Sequence, residues 1–145
     1  MEKGKLFINQ VSKSERTPRV SVLLSGLPGS GKTVLAATIA WRSEFPFVKI
    51  ISPDRMVGFS EAQKIAAITR TFNDSYKSPL SVIIVDNLER LLGLSVVIHL
   101  KGILTCRVQT GHIWVIDSQM PFFKRYLYSL HGNLPRWVPL YSDSV

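Results

Sequence analysis

Gly26, Gly31, Lys32 and Thr33 stand at the fixed positions of the pattern G-x-x-x-x-G-K-[ST], spelled here Gly26-Leu27-Pro28-Gly29-Ser30-Gly31-Lys32-Thr33. Each residue type has a chemical reason for its place. Glycines let a loop wrap so tightly that successive N–H groups point at phosphate oxygens, and the N-terminus of a following helix adds its partial positive charge. A lysine ammonium at this spacing bridges β- and γ-phosphates, and a threonine hydroxyl ligates Mg²⁺. At average residue usage the pattern arises by chance in about one of 200 chains of this length. It reads as a phosphate-binding loop for ATP or GTP, with the nucleotide-contacting residues running from Gly26 through Thr33 to Val34 in the first helical turn.

Asp86 supplies a second chemical group. It ends the nearly continuous apolar run Leu80-Ser81-Val82-Ile83-Ile84-Val85, the signature of a parallel strand buried on both faces. Open parallel sheets place ligand groups at the C-terminal ends of such strands, and an acid there holds Mg²⁺. Lys32 and Asp86 are therefore the expected catalytic residues, and Thr33 and Asp86 the expected metal-holding pair. Asn87 follows, at a place where ATPases of this architecture commonly carry a second carboxylate that deprotonates the attacking water. An amide cannot accept that proton, and general-base catalysis contributes about 10²–10⁴-fold. The expectation is nucleotide binding with slow turnover. Glu89 reads as a helix-surface residue rather than a substitute base.

Other candidates carry less chemistry. His99, His112 and His131 lack metal-ligand spacing and an obvious carboxylate partner, so all three read as surface or partly buried histidines. Phe122, Phe123, Tyr126 and Trp137 read as packing material. The single cysteine, Cys106, cannot form an internal disulfide and suits a reducing compartment. The net charge of +8 is spread as +3 over residues 1–20, +2 over 21–92 and +3 over 93–145. With no Lys/Arg run and no basic helix face, nucleic-acid binding is not expected. No run reaches the ~20 apolar residues of a membrane span, and no apolar signal core follows the N-terminus. A cytoplasmic protein without direct membrane insertion is expected. Guanine is disfavoured, because Asn-Lys-x-Asp occurs nowhere in the sequence, and a small-molecule kinase would need a lid with clustered arginines.

The elements that must position these residues can be read in order. Residues 20–24 form a short β-prone run leading into the loop, and Lys32 to Ser43 is rich in helix formers, with Leu35, Ala36, Ile39 and Ala40 spaced to face a sheet. Residues 45–51 read as a second strand, closed by Ser52-Pro53-Asp54. Ser60-Glu61-Ala62-Gln63 fits a capping box, and Ala62, Ile65, Ile68 or Thr69, Phe72 and Tyr76 follow at helical spacing. The strand 80–85 comes next. This alternation predicts an α/β fold with a parallel sheet flanked by helices, at 145 residues a single domain. From Gly93 the apolar segments are short (96–100, 103–108, 112–116) and no architecture can be assigned, so residues 1–92 are expected to be a partial nucleotide-binding core and 93–145 a divergent tail.

Several segments go beyond the loop. Residues 14–24, residues 45–61 with Ser52-Pro53-Asp54-Arg55-Met56-Val57-Gly58-Phe59-Ser60-Glu61, residues 74–81 and Asp86-Asn87-Leu88-Glu89-Arg90-Leu91-Leu92 resemble the second ATPase domain of the N-ethylmaleimide-sensitive-factor family of vesicle-fusing AAA+ ATPases. The resemblance covers residues 4–92. It implies an incomplete P-loop NTPase fold of the AAA+ type, with ATP and Mg²⁺ as cofactors. It also implies membership of a homohexameric machine that takes apart SNARE complexes through a soluble attachment-protein adaptor, and peripheral association with membranes through those partners. In that family the second domain mainly binds ATP to hold the hexamer together, while the first performs most hydrolysis. Asn87 departs from the family's acidic residue. After Leu92 the sensor residue, arginine finger and helical lid are not recognisable; His112 to Ile116 followed by Asp117-Ser118 is only a minor candidate for the sensor strand. A truncated or aberrantly ended form is expected, with a non-catalytic, nucleotide-dependent oligomerisation or interaction fragment as the alternative reading.

Overall fold

The computed structural model describes residues 2–13, 19–91, 93, 111–118 and 137–141. In chain order these are α1 (Glu2–Lys13), β1 (Arg19–Ser25), α2 (Lys32–Ser43), β2 (Phe47–Ile51), a 3-10 turn (Pro53–Met56), α3 (Glu61–Tyr76), β3 (Leu80–Val85), the one-turn α4 (Leu88–Leu91), β4 (Gly111–Ser118) and β5 (Trp137–Tyr141). The five strands form one sheet in the order β2-β3-β4-β1-β5, and every pairing is parallel.

Strands buried on both faces explain the absence of alternation in 20–24 and 80–85. Side chains of successive residues enter two separate cores. Val20, Val22, Leu24, Val82, Ile84, Ile113 and Val115 pack with Ala36, Ile39 and Ala40 of α2 and Phe7 and Val11 of α1. Leu23, Ile83, Val85 and Ile116 pack instead with Ile68 and Phe72 of α3 and Leu88 and Leu91 of α4. Each fully buried Val, Leu, Ile or Phe contributes about 1.5–3 kcal/mol, so helices on both faces hold the central strands in place.

The helices begin and end as their residues require. At the start of α3, the Gln63 N–H donates to Ser60 Oγ at 3.3 Å and the Ser60 N–H donates to Gln63 Oε1 at 2.8 Å, closing the expected capping box. Ile68 and Phe72 are buried and Ile65 and Tyr76 pack beside them, whereas Ala62, expected on the same face, is exposed. α2 ends at Glu44 in the left-handed region (φ 53°), where the Phe45 N–H donates to Ser43 Oγ. The second strand then starts at Phe47 rather than Phe45, since Phe45 turns into the α1–α2 core and Pro46 has no N–H for a ladder.

Three features differ from the sequence reading. α1 was not expected, and Phe7 and Val11, one turn apart, anchor it. Two segments beyond Gly93 enter the sheet: β4 runs between β1 and β3, and β5 lies at the edge beyond β1. His112 is fully buried rather than exposed or partly buried. Its Nδ1 hydrogen-bonds the Ser81 hydroxyl, and its ring meets Tyr76 edge-on, with centroids 5.3 Å apart. His99, His131, Cys106, Phe122, Phe123, Tyr126 and the segments 96–100 and 103–108 lie outside the described residues.

Candidate functional site

The loop between β1 and α2 takes the shape its glycines permit. Gly29 and Gly31 have φ of 76° and 83°, a region in which side-chain-bearing residues are strained. The Ser30 N–H closes a turn onto the Leu27 carbonyl at 3.2 Å. Gly31 caps α2 with no side-chain hydrogen bond, so the first-turn N–H groups face the loop without a side-chain acceptor from the cap. The Leu27 and Val34 side chains are exposed, at 80% and 70%, and Pro28, Gly29 and Thr33 are exposed too.

Lys32 is the exception, with only 5% of its surface accessible. Its ammonium curls under the loop and donates to the carbonyls of Leu27 (2.8 Å) and Gly26 (3.1 Å) and to Ser30 Oγ (3.4 Å). A buried ammonium needs such acceptors, because desolvating it alone would be costly. The charge is thereby fixed beneath the loop by its own carbonyls and the Ser30 hydroxyl.

Asp86 reaches the same place from β3. The parallel pairing sets Val85 beside Ile116 and Leu24 beside Asp117, so the ends of β3, β4 and β1 finish level at one edge of the sheet. There Thr33 Oγ1 donates to Asp86 Oδ1 at 3.1 Å, across 53 residues of sequence. The Asp86 N–H donates to the Ile51 carbonyl at 2.9 Å, and Asn87 Nδ2 donates to Asp86 Oδ2 at 3.4 Å. The donor set of hydroxyl and carboxylate consists of hard oxygens, and it fits a Mg²⁺ ion that takes its remaining ligands from phosphate and water. Among the described residues no cluster of three or more His, Cys, Asp or Glu suggests any other metal.

Thr33 and Asp86 are thus in hydrogen-bond contact, and the Lys32 ammonium lies under the adjoining loop. Asn87 sits beside them with a positive φ of 47°, which its identity alone did not announce. Glu89 lies on α4, half-buried. Asp117 and Ser118, at the C-terminal end of β4, stand at the register positions between the loop and Asp86. Their place was legible only as the imitation of a sensor strand.

Comparison with known proteins agrees with this arrangement. The model of the ATPase family associated with various cellular activities (AAA) matches residues 22–100. The chain is 55% identical over 92 residues to the vesicle-fusing ATPase of Dictyostelium discoideum, covering 63% of this chain and 12% of that protein. It is 63% identical over 89 residues to the vesicular-fusion protein sec18 of Schizosaccharomyces pombe, covering 61% and 11%. With the vesicle-fusing ATPase of Arabidopsis thaliana it shares 53% over 91 residues, covering 63% and 12%. The matched part spans about one-eighth of the length of these relatives.

Proposed function

This chain belongs to the AAA family of ATPases, and from that premise we propose that it is an ATP-binding module of the vesicle-fusing type. Its place would be in a machine that hydrolyses ATP to disassemble SNARE complexes in vesicle-mediated transport. The single observation that carries the reading is the Thr33–Asp86 hydrogen bond at 3.1 Å beside the buried Lys32 ammonium, which joins the phosphate loop to the acid that a metal-bound nucleotide needs. Lys32, whose ammonium donates to the Gly26 and Leu27 carbonyls, would exchange these neutral acceptors for anionic β- and γ-phosphate oxygens when the nucleotide binds. Thr33 and Asp86 would hold a Mg²⁺ ion, which would supply charge neutralisation to the phosphates. The core comprises residues 1–92 with β4 and β5 added. The homohexamer, the attachment-protein adaptor, the SNARE substrate and peripheral membrane association belong to this proposal through the resemblance of residues 4–92. No described helix is long and apolar enough to cross a membrane.

A second reading has one observation in its favour. The amide of Asn87 stands where a proton acceptor is needed, which suits a module that binds ATP for assembly rather than for turnover. Isothermal titration with Mg·ATP and Mg·GTP tests the shared premise. Saturable ATP binding with weaker GTP binding is expected, and equal affinities or none would remove the ATP assignment.

A further inference from the structure

Asn87 makes contacts that a merely absent base does not explain. We infer that Asn87 is a positioning residue that fixes the rotamer of Asp86, presenting Oδ1 to Thr33 and the metal site while its own amide holds Oδ2.

Both carboxylate oxygens of Asp86 are engaged: Oδ1 accepts from Thr33 Oγ1 at 3.1 Å and Oδ2 accepts from Asn87 Nδ2 at 3.4 Å. An ionised carboxylate only accepts, so the amide must turn its nitrogen toward Oδ2, which fixes the amide orientation chemically. The backbone holds Asn87 where it can do this. The Asp86 N–H is tied to the Ile51 carbonyl at 2.9 Å, and the Asn87 carbonyl accepts from the Arg90 N–H at 2.9 Å, closing the first turn of α4. The peptide groups flanking the Asp86–Asn87 link are thus tied on either side, and Asn87 has φ 47°. Asn tolerates this left-handed conformation far better than most residues. A carboxylate at position 87 would place a second acceptor, and a like charge, against Oδ2 and could not make this bond. The residue that forgoes water activation gains a means of pre-orienting the metal ligand.

The inference rests on the Mg·ATP reading, and its test separates the two. Asn87→Gly keeps the left-handed backbone without strain and removes only the amide. ATP affinity is measured by titration calorimetry of the 145-residue chain in EDTA and in excess Mg²⁺. Wild type should bind more tightly with Mg²⁺; if it binds without any metal dependence, the Mg·ATP reading itself fails. In Asn87→Gly the metal-free affinity should match wild type, which also confirms folding, while the Mg²⁺-dependent gain should shrink about tenfold, the scale of one hydrogen bond to a charged group. Asn87→Ala also lacks the donor and serves if the glycine variant is insoluble. A Mg²⁺-dependent gain undiminished in either variant overturns the positioning role.

Discussion

Acidification tests the central place of β4. His112 is wholly buried in that strand, hydrogen-bonded to Ser81 of β3 and edge-on to Tyr76 of α3. Burial lowers its pKa from 6.5 to about 4, and the positive charge of Arg19, its register partner on β1, adds to the effect. The unfolded chain takes up a proton as pH falls below 6.5, while the folded chain resists until near 4. The neutral histidine's contribution is therefore full above pH 6.5 and is lost between 6.5 and 4. At pH 4.5 the loss is about 2.5 kcal/mol, or about 1 M in urea midpoint for a slope of about 2 kcal/mol per M. Urea unfolding at pH 7 and 4.5 is compared between wild type and His112→Gln, which removes the titration and leaves the carboxylates as a common background. Wild type should lose about 2.5 kcal/mol more than the variant. Parallel losses in both proteins would show that His112 is not buried neutral between β3 and α3.

Two other expectations concern the loop and turnover. Gly31→Ala should destabilise the chain by about 1–2 kcal/mol in thermal or urea unfolding, since φ is 83° and a Cβ would meet nothing within 4 Å, leaving only the backbone cost; an unchanged midpoint would contradict the loop conformation. Asn87→Asp should leave steady-state phosphate release by the isolated chain close to background, because the new carboxylate lies against Asp86 and restores a base while no arginine finger is recognisable in the sequence to compensate the transition-state charge; a rise of a hundredfold or more would show that the missing base was the whole deficit.

The legible part of this protein was the part whose residues answer to local rules. The loop glycines, the capping box at Ser60 and Gln63, and the two-sided apolar run before Asp86 each encode their own conformation, and together they single out Lys32, Thr33 and Asp86, which the fold gathers at the β1–α2 loop and the end of β3. What escaped depends on partners distant in sequence. β4 carries a histidine at a buried position, which reads as polar until Ser81 and Tyr76 are seen to receive it. Among its described side chains α1 buries only Phe7 and Val11, with largely polar neighbours, too narrow a stripe to read without the sheet it covers. Asn87 suggested a missing base by its type, whereas its φ and its bond to Asp86 come from the way α4 starts. The curled path of Lys32 is by contrast local, its acceptors lying within six residues, yet it depends on the loop conformation and not on residue type alone.

The account stands most directly on ATP binding through the Lys32 ammonium. Isothermal titration of wild type and Lys32→Ala with Mg·ATP, each first checked for folding by circular dichroism, measures it. Loss of two charge-assisted contacts to phosphate predicts a drop of about 3 kcal/mol or more, at least a hundredfold in affinity. Equal affinity of the two folded proteins for ATP would contradict the assignment of residues 26–34 as the nucleotide site.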